Sequence, residues 1–182
     1  AACIEDSIST SPADQPEFST DTLRFGTQYS DEVTPTMMLM VYNRHDKVMS
    51  ISDISIEGDD GVFRLNVDGF SGTRFSGVEI RPNDSIYVLV SARFPTNGDF
   101  EPARVDRTLT FTTNGVTRKV VLTAESQDVE RLTDPVITAD TRWRPTHPRR
   151  IYGRLTVAPG ATLTLEAGTT LLFHDKASVE VE

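Results

Sequence analysis

Leu109-Thr110-Phe111-Thr112-Thr113-Asn114-Gly115-Val116-Thr117-Arg118-Lys119-Val120-Val121-Leu122 reads as a hairpin. Leu109 and Phe111 alternate with threonines before the Asn-Gly pair, and Val120 and Leu122 stand two apart after it. Period-two alternation gives each strand one apolar face, and Asn-Gly suits a tight turn that requires positive φ. Working outward, strand-like runs cover 18–25, 37–43, 48–56, 62–67, 85–94, 107–113 and 117–124. Gly58-Asp59-Asp60-Gly61, Pro82-Asn83-Asp84 and Thr96-Asn97-Gly98 punctuate them with turn chemistry. Short strands at this spacing predict an all-β fold, with a β-sandwich over 17–128. No helical pattern competes.

Past the hairpin the rhythm changes. Leu155, Leu163, Leu171 and Val179 are spaced by eight, and so are Val157, Leu165, Phe173 and Val181. Gly160 and Gly168 fall in the intervening turns. Three eights make one turn of a three-faced parallel coil, which predicts Val179 above Leu155 and Val181 above Val157. An antiparallel meander with regular turns is the alternative. On the coil reading, 151–182 is the first coil and 129–150 a linker and cap. Trp143 then fills the coil end, or else serves as a carbohydrate platform. The six residues from Leu155 to Phe173 would form one apolar layer with another barely begun above it. The chain is therefore expected to be part of a longer protein, its open end covered by further coils or a partner.

At the other end stands Cys3, the single cysteine of the chain. It cannot form an internal disulfide. Ala1 and Ala2 precede it, Glu5 and Asp6 follow, and 7–16 is rich in Ser, Thr, Pro, Asp and Gln. Such a stretch holds little apolar surface to repay ordering, so 1–16 is expected to be a flexible tether. A stray thiol is the plain alternative.

These residues carry three resemblances. Ala1-Ala2-Cys3 resembles the tail of a bacterial lipobox, whose cleavage would remove Ala1 and Ala2, and Glu5 and Asp6 after it resemble the export signal of a Bacteroidetes surface lipoprotein. That implies acyl chains on Cys3 and an export signal in Glu5 and Asp6. Leu23-x-Phe25-Gly26-Thr27, Val41-x-Asn43, Ile51-x-x-Ile54-x-Ile56 and Ile80-x-Pro82-x-Asp84 resemble the Ig-like domains of the ASH and major-sperm-protein type. Known roles in that family are mostly scaffolding or adhesion. The run from Ile151 to Thr169 is similar to the opening of bacterial right-handed parallel β-helices.

The remaining composition narrows function. A net charge of −9 opposes binding to nucleic-acid phosphates. Against that acidity, Arg142, Arg144, Arg149, Arg150 and Arg154 form a basic island. It is either a contact for a partner or lipid headgroup, or a solvated rim. His45, His147 and His174 lack the spacing of a metal set, and no Gly-x-Ser-x-Gly elbow occurs. Asp59-Asp60 alone falls short of the six or more oxygens that calcium takes. The expectation is a non-enzymatic lipoprotein on the outer face of the outer membrane. It would carry no cofactor beyond an acyl lipid on Cys3 and would touch the bilayer only through that anchor. Its partners would be an outer-membrane β-barrel complex, for nutrient uptake, assembly or export, or other surface lipoproteins. The alternative is a glycan-binding or glycan-cleaving surface protein whose active face lies on coils beyond Glu182.

Overall fold

The computed structural model describes residues 7–182, and these form strands, turns and loops throughout. One unit takes residues up to Pro95 together with Ala103–Ser126; a second takes Thr96–Pro102 with Gln127–Glu182. The first unit contains β1 (Glu17–Phe18), β2 (Thr22–Tyr29), β3 (Met37–Tyr42), β4 (Met49–Ile56), β5 (Phe63–Val67) and β6 (Phe70–Gly72). It continues with β7 (Arg74–Phe75), β8 (Val78–Ile80), β9 (Ser85–Ala92), β10 (Ala103–Thr113) and β11 (Val116–Gln127).

Two sheets result, ordered β1-β3-β9-β5-β6 and β2-β11-β10-β4-β7, with β8 also on β4. Alternation sends Leu39, Val41, Phe63, Leu65, Val88 and Val90 inward from the first sheet. Leu23, Ile51, Ile54, Leu109, Phe111 and Leu122 come from the second and join them in one core. Phe25 meets Phe63 across that core with ring centroids 5.6 Å apart. Full burial of each such side chain stabilises by roughly 1.5–3 kcal/mol. Placing β1-β3-β9-β5 opposite β4-β10-β11 reproduces the A-B-E-D and C-F-G order of a constant-type immunoglobulin sandwich.

The hairpin closes as its sequence predicts. Thr113 pairs with Val116, and Asn114 and Gly115 take φ of 50° and 78°. The run 18–25, by contrast, is not one strand. It breaks at Ser19-Thr20-Asp21, where the Thr20 hydroxyl caps the Thr22 N–H. β1 therefore stays in the first sheet and β2 crosses to the second. Strands β6, β7 and β8 fill a stretch that the alternation left unassigned.

The second unit contains β12 (Glu130–Thr133), β13 (Val136–Ile137), β14 (Thr141–Trp143), β15 (Arg149–Tyr152), β16 (Arg154–Val157), β17 (Leu163–Leu165), β18 (Leu171–Phe173) and β19 (Ser178–Val181). They form three sheets, β12-β15-β18, β13-β16-β19 and β14-β17, and every pairing is parallel. Along the chain the strands visit these sheets in rotation. Leu155 lies opposite Val179 and Val157 opposite Val181, the register that the eight-residue spacing predicts.

The boundaries expected from sequence need correction. Residues 129–150 are not a linker and cap, because β12, β13 and β14 already pair with the strands that follow. Consequently 151–182 is laid on an earlier set of strands rather than being the first. Leu155 and Val157 bury themselves against Ile137 and Ile151, while Leu165 and Phe173 remain 47% and 41% exposed, so no single six-residue layer forms. The sandwich is not continuous over 17–128 either. The buried Asp128 carboxylate accepts the N–H groups of Asn97 and Gly98 at 3.1 and 2.7 Å, and Phe100 stacks on His147. These contacts tie Thr96–Pro102 into the second unit.

Candidate interaction surfaces

Cys3, Glu5 and Asp6 lie outside the described residues. The tether expected to follow them is instead an arm fastened to the sandwich from Ser7 onward. Ile8 bridges Val48 in parallel; the Ser9 N–H donates to Val48 O at 2.8 Å, and the Val48 N–H to Ser7 O at 3.1 Å. The Asn114 amide donates to Ser11 O, and that of Gln15 to Thr113 O. Ser9 is buried and its hydroxyl donates to Asp14, which also faces His45 at 3.4 Å. Hydrogen bonds, not apolar area, hold this arm.

The five arginines do not make one basic surface. Arg149 is 8% exposed, pairs with Glu130 at 2.8 Å and lies over the Trp143 ring. Arg142 and Arg144 share Glu166, Arg154 pairs with Glu180, and Arg150 donates to the Tyr152 hydroxyl. Three carboxylates, Glu130, Glu166 and Glu180, thus pair with four of the five arginines that the linear sequence groups together. Trp143 is half-buried against the Ile137–Ile151 cluster, which favours its packing role over a carbohydrate platform.

The histidines are dispersed. His45 serves the arm, His147 lies 2.8 Å from Glu130, and His174 stacks on Tyr152. Among the described residues no three His, Cys, Asp or Glu side chains come together as a metal set. Asp59 accepts the Gly61 N–H, and Asp60 accepts from Arg107 and the Val62 N–H. Asp59 is thus committed to its own turn, and Asp60 to that turn and to Arg107. The Arg107 hydrogen bond, followed by the Val62 amide, holds the Asp60 carboxyl below its ordinary range. Asp53 is lowered by the Ser55 hydroxyl and Arg74, and Asp106 by the Thr123 hydroxyl and Arg104.

One further surface is apolar and faces solvent. The outward side chains of β3 and β9 are Met38, Met40, Tyr42, Tyr87 and Leu89, on the solvent face of the five-stranded sheet. Register sets Met38 opposite Leu89 and Met40 opposite Tyr87. Beside them lies an open groove of about 460 Å³ lined by Thr36, Arg64, Asn66, Ser71, Thr73 and Ser91. A signal was present: Met37 to Tyr42 and Ile86 to Val90 are unbroken apolar runs, whereas a half-solvated antiparallel strand alternates.

No family model matches this chain. No curated protein matches it either. Among solved structures it is similar to the VesB protease of Vibrio cholerae, with 11% identity and a TM-score of 0.42 over 63% of this chain and 32% of that one. It is similar to the ASH/PapD-like domain 7 of human CEP192, with 12% identity and a TM-score of 0.43 over 71% and 96%. A third likeness is to the periplasmic chaperone SfaE, with 6% identity and a TM-score of 0.37 over 62% and 57%. The chain thus spans about a third of the protease and just over half of the chaperone. Likeness at this level assigns neither activity nor partner.

Proposed function

We propose that this chain is a non-catalytic binding module of a surface-exposed outer-membrane lipoprotein, anchored by acyl chains on Cys3 and docked on an outer-membrane β-barrel complex. The observation that carries the reading is the fastened arm. Four peptide units separate Cys3 from Ser7, a reach of at most about 14 Å. Acylation of Cys3 would therefore hold one end of the sandwich, where Val48, His45 and Asn114 lie, close to the bilayer. Two or three acyl chains suffice for that, since each buried methylene contributes about 0.8 kcal/mol. Glu5 and Asp6 would direct the protein to the outer leaflet.

On the same reading the second unit is the opening of a right-handed parallel β-helix. Its rotation among three parallel sheets supports this, as do the left-handed corner residues Asp134, Gly153 and Asp175. The helix would act as a scaffold for partner contacts.

Fractionation of cells expressing the full protein tests the anchor. Cys3→Ala should move it from the outer membrane to the soluble fraction with its thermal unfolding unchanged. Retention in the membrane would reject the assignment. Replacing Glu5 and Asp6 with alanine should protect the protein from external protease, and continued cleavage would reject the export role. Crosslinking of the intact lipoprotein that recovers no barrel protein would count against the docking.

A further inference from the structure

We propose that the solvent face of the five-stranded sheet is a binding groove for an extended polypeptide segment bearing apolar side chains and a carboxylate. The two sheets of the sandwich make the case by contrast. On the other sheet the outward positions of β4 and β10 are Ser50, Ser52, Ser55, Thr108, Thr110 and Thr112, a polar strip with a single valine, Val121 of β11, opposite Thr108. Three of its five arginines pair with carboxylates: Arg74 with Asp53, Arg104 with Asp106 and Arg107 with Asp60. On the five-stranded sheet the same positions carry Met38, Met40, Tyr42, Tyr87 and Leu89, and Met38 is 59% exposed. An apolar stripe rimmed by polar groups marks an interaction site.

Beside the stripe, Arg64 has no carboxylate partner among the described residues. It stands opposite Ser91, and the neighbouring pair is Asn66 with Leu89. Asn66 is already spent, donating to Ser71 and accepting the Gly69 N–H. What remains open is a guanidinium fork, which matches a carboxylate bidentately. Diagonal neighbours in a sheet such as Arg64 and Leu89 are about 7–8 Å apart. Side chains on one face of an extended chain repeat at about 6.8 Å, two residues on. One such segment can therefore rest a leucine on Leu89 and Met38 and present an acidic side chain to Arg64.

Size selects the segment over a second copy. A stable interface between folded proteins takes about 20–30 residues a side, far more than this stripe offers. The inference is independent of the membrane anchor.

The test uses the four methionines as reporters. Methyl-labelled protein would be titrated with a short peptide alternating leucine and aspartate, and with its leucine–lysine counterpart. The Met38 and Met40 methyls should shift saturably with the acidic peptide only. Met49, 1% exposed in the core, should stay fixed and report an intact fold. Arg64→Gln should weaken the response at least tenfold with Met49 unmoved. Equal binding of the lysine peptide, an unaffected Arg64→Gln variant, or no shift at millimolar peptide would overturn the proposal. Met38 shifts that depend on protein concentration without peptide would overturn it in favour of a second copy.

Discussion

Asp134 occupies the space that a side chain on Gly153 would need: its Oδ1 lies 2.1 Å from the position of a Cβ there. The same oxygen accepts the Arg154 N–H at 2.9 Å. One short carboxylate thus locks a corner of the second unit across two successive layers, and Gly153 supplies both the vacancy and a φ of 72°. Gly153→Ala should destabilise that unit by about 2–4 kcal/mol, combining left-handed strain with loss of a charge-assisted hydrogen bond. Gly160→Ala is the control. It shares the positive φ but meets nothing within 4 Å, so only the strain of about 1–2 kcal/mol applies. Equal losses in chemical denaturation would show that the Asp134 contact carries no weight.

Asn43 should be the most sensitive polar position in the sandwich. It is fully buried; its amide nitrogen donates to Lys47 O, Ile80 O and Arg81 O at 2.8, 3.0 and 3.1 Å, and its oxygen accepts the His45 N–H. Two separate turns are pinned by one side chain. Asn43→Asp replaces the donor with an acceptor facing three carbonyls, so a loss of about 3 kcal/mol or more is expected. A shift in denaturation midpoint worth under about 1 kcal/mol would contradict this network.

Acid should weaken the fold through Asp53, Asp60 and Asp106. Each has a folded-state pKa below its ordinary value of 3.8. Folding therefore favours the charged form of each group. The stability they contribute is present above that value and is lost as pH falls through the lower folded values. Urea midpoints should hold from pH 6 to about 4 and drop below. Asp60→Asn should flatten that drop while costing only about 0.5 kcal/mol at neutral pH, as the pair with Arg107 is partly exposed. An undiminished acid drop in that variant would refute the contribution of Asp60.

Removal of residues 1–15 should cost the sandwich about 1–2 kcal/mol, from the lost Val48 and Asn114 contacts offset by the entropy released. Cys3→Ala leaves those contacts in place. Melting temperatures of the two variants should therefore differ, and identical values would mean that the arm adds nothing.

What the sequence displayed and what it hid follow from physical causes. Asn114-Gly115 announced its turn because few residue pairs accept two positive φ angles in succession. The spacing of Leu155, Val157, Val179 and Val181 announced a parallel register because all four repeat without interruption. Strands β12 to β14 kept no such rhythm. Glu130, Val136 and Thr141 pair with Arg149, Thr156 and Leu163, at separations that change from corner to corner. The arm escaped notice because composition measures apolar area, and Ser9, Gln15 and Asn114 bind through hydrogen bonds. The outward face of β3 was overlooked because Met38 and Met40 read as one more piece of core.

The loop Thr96–Pro102 has a genetic consequence. Asp128 finds its two amide donors in Asn97 and Gly98, which are encoded upstream of the last two strands of the sandwich. A recombination event that moved only the codons after Gln127 would take from Asp128 the Asn97 and Gly98 amides, and from His147 the Phe100 ring. The second unit cannot be inherited as a simple C-terminal cassette. A transfer that keeps these contacts carries both pieces of the second unit, Thr96–Pro102 and Gln127–Glu182.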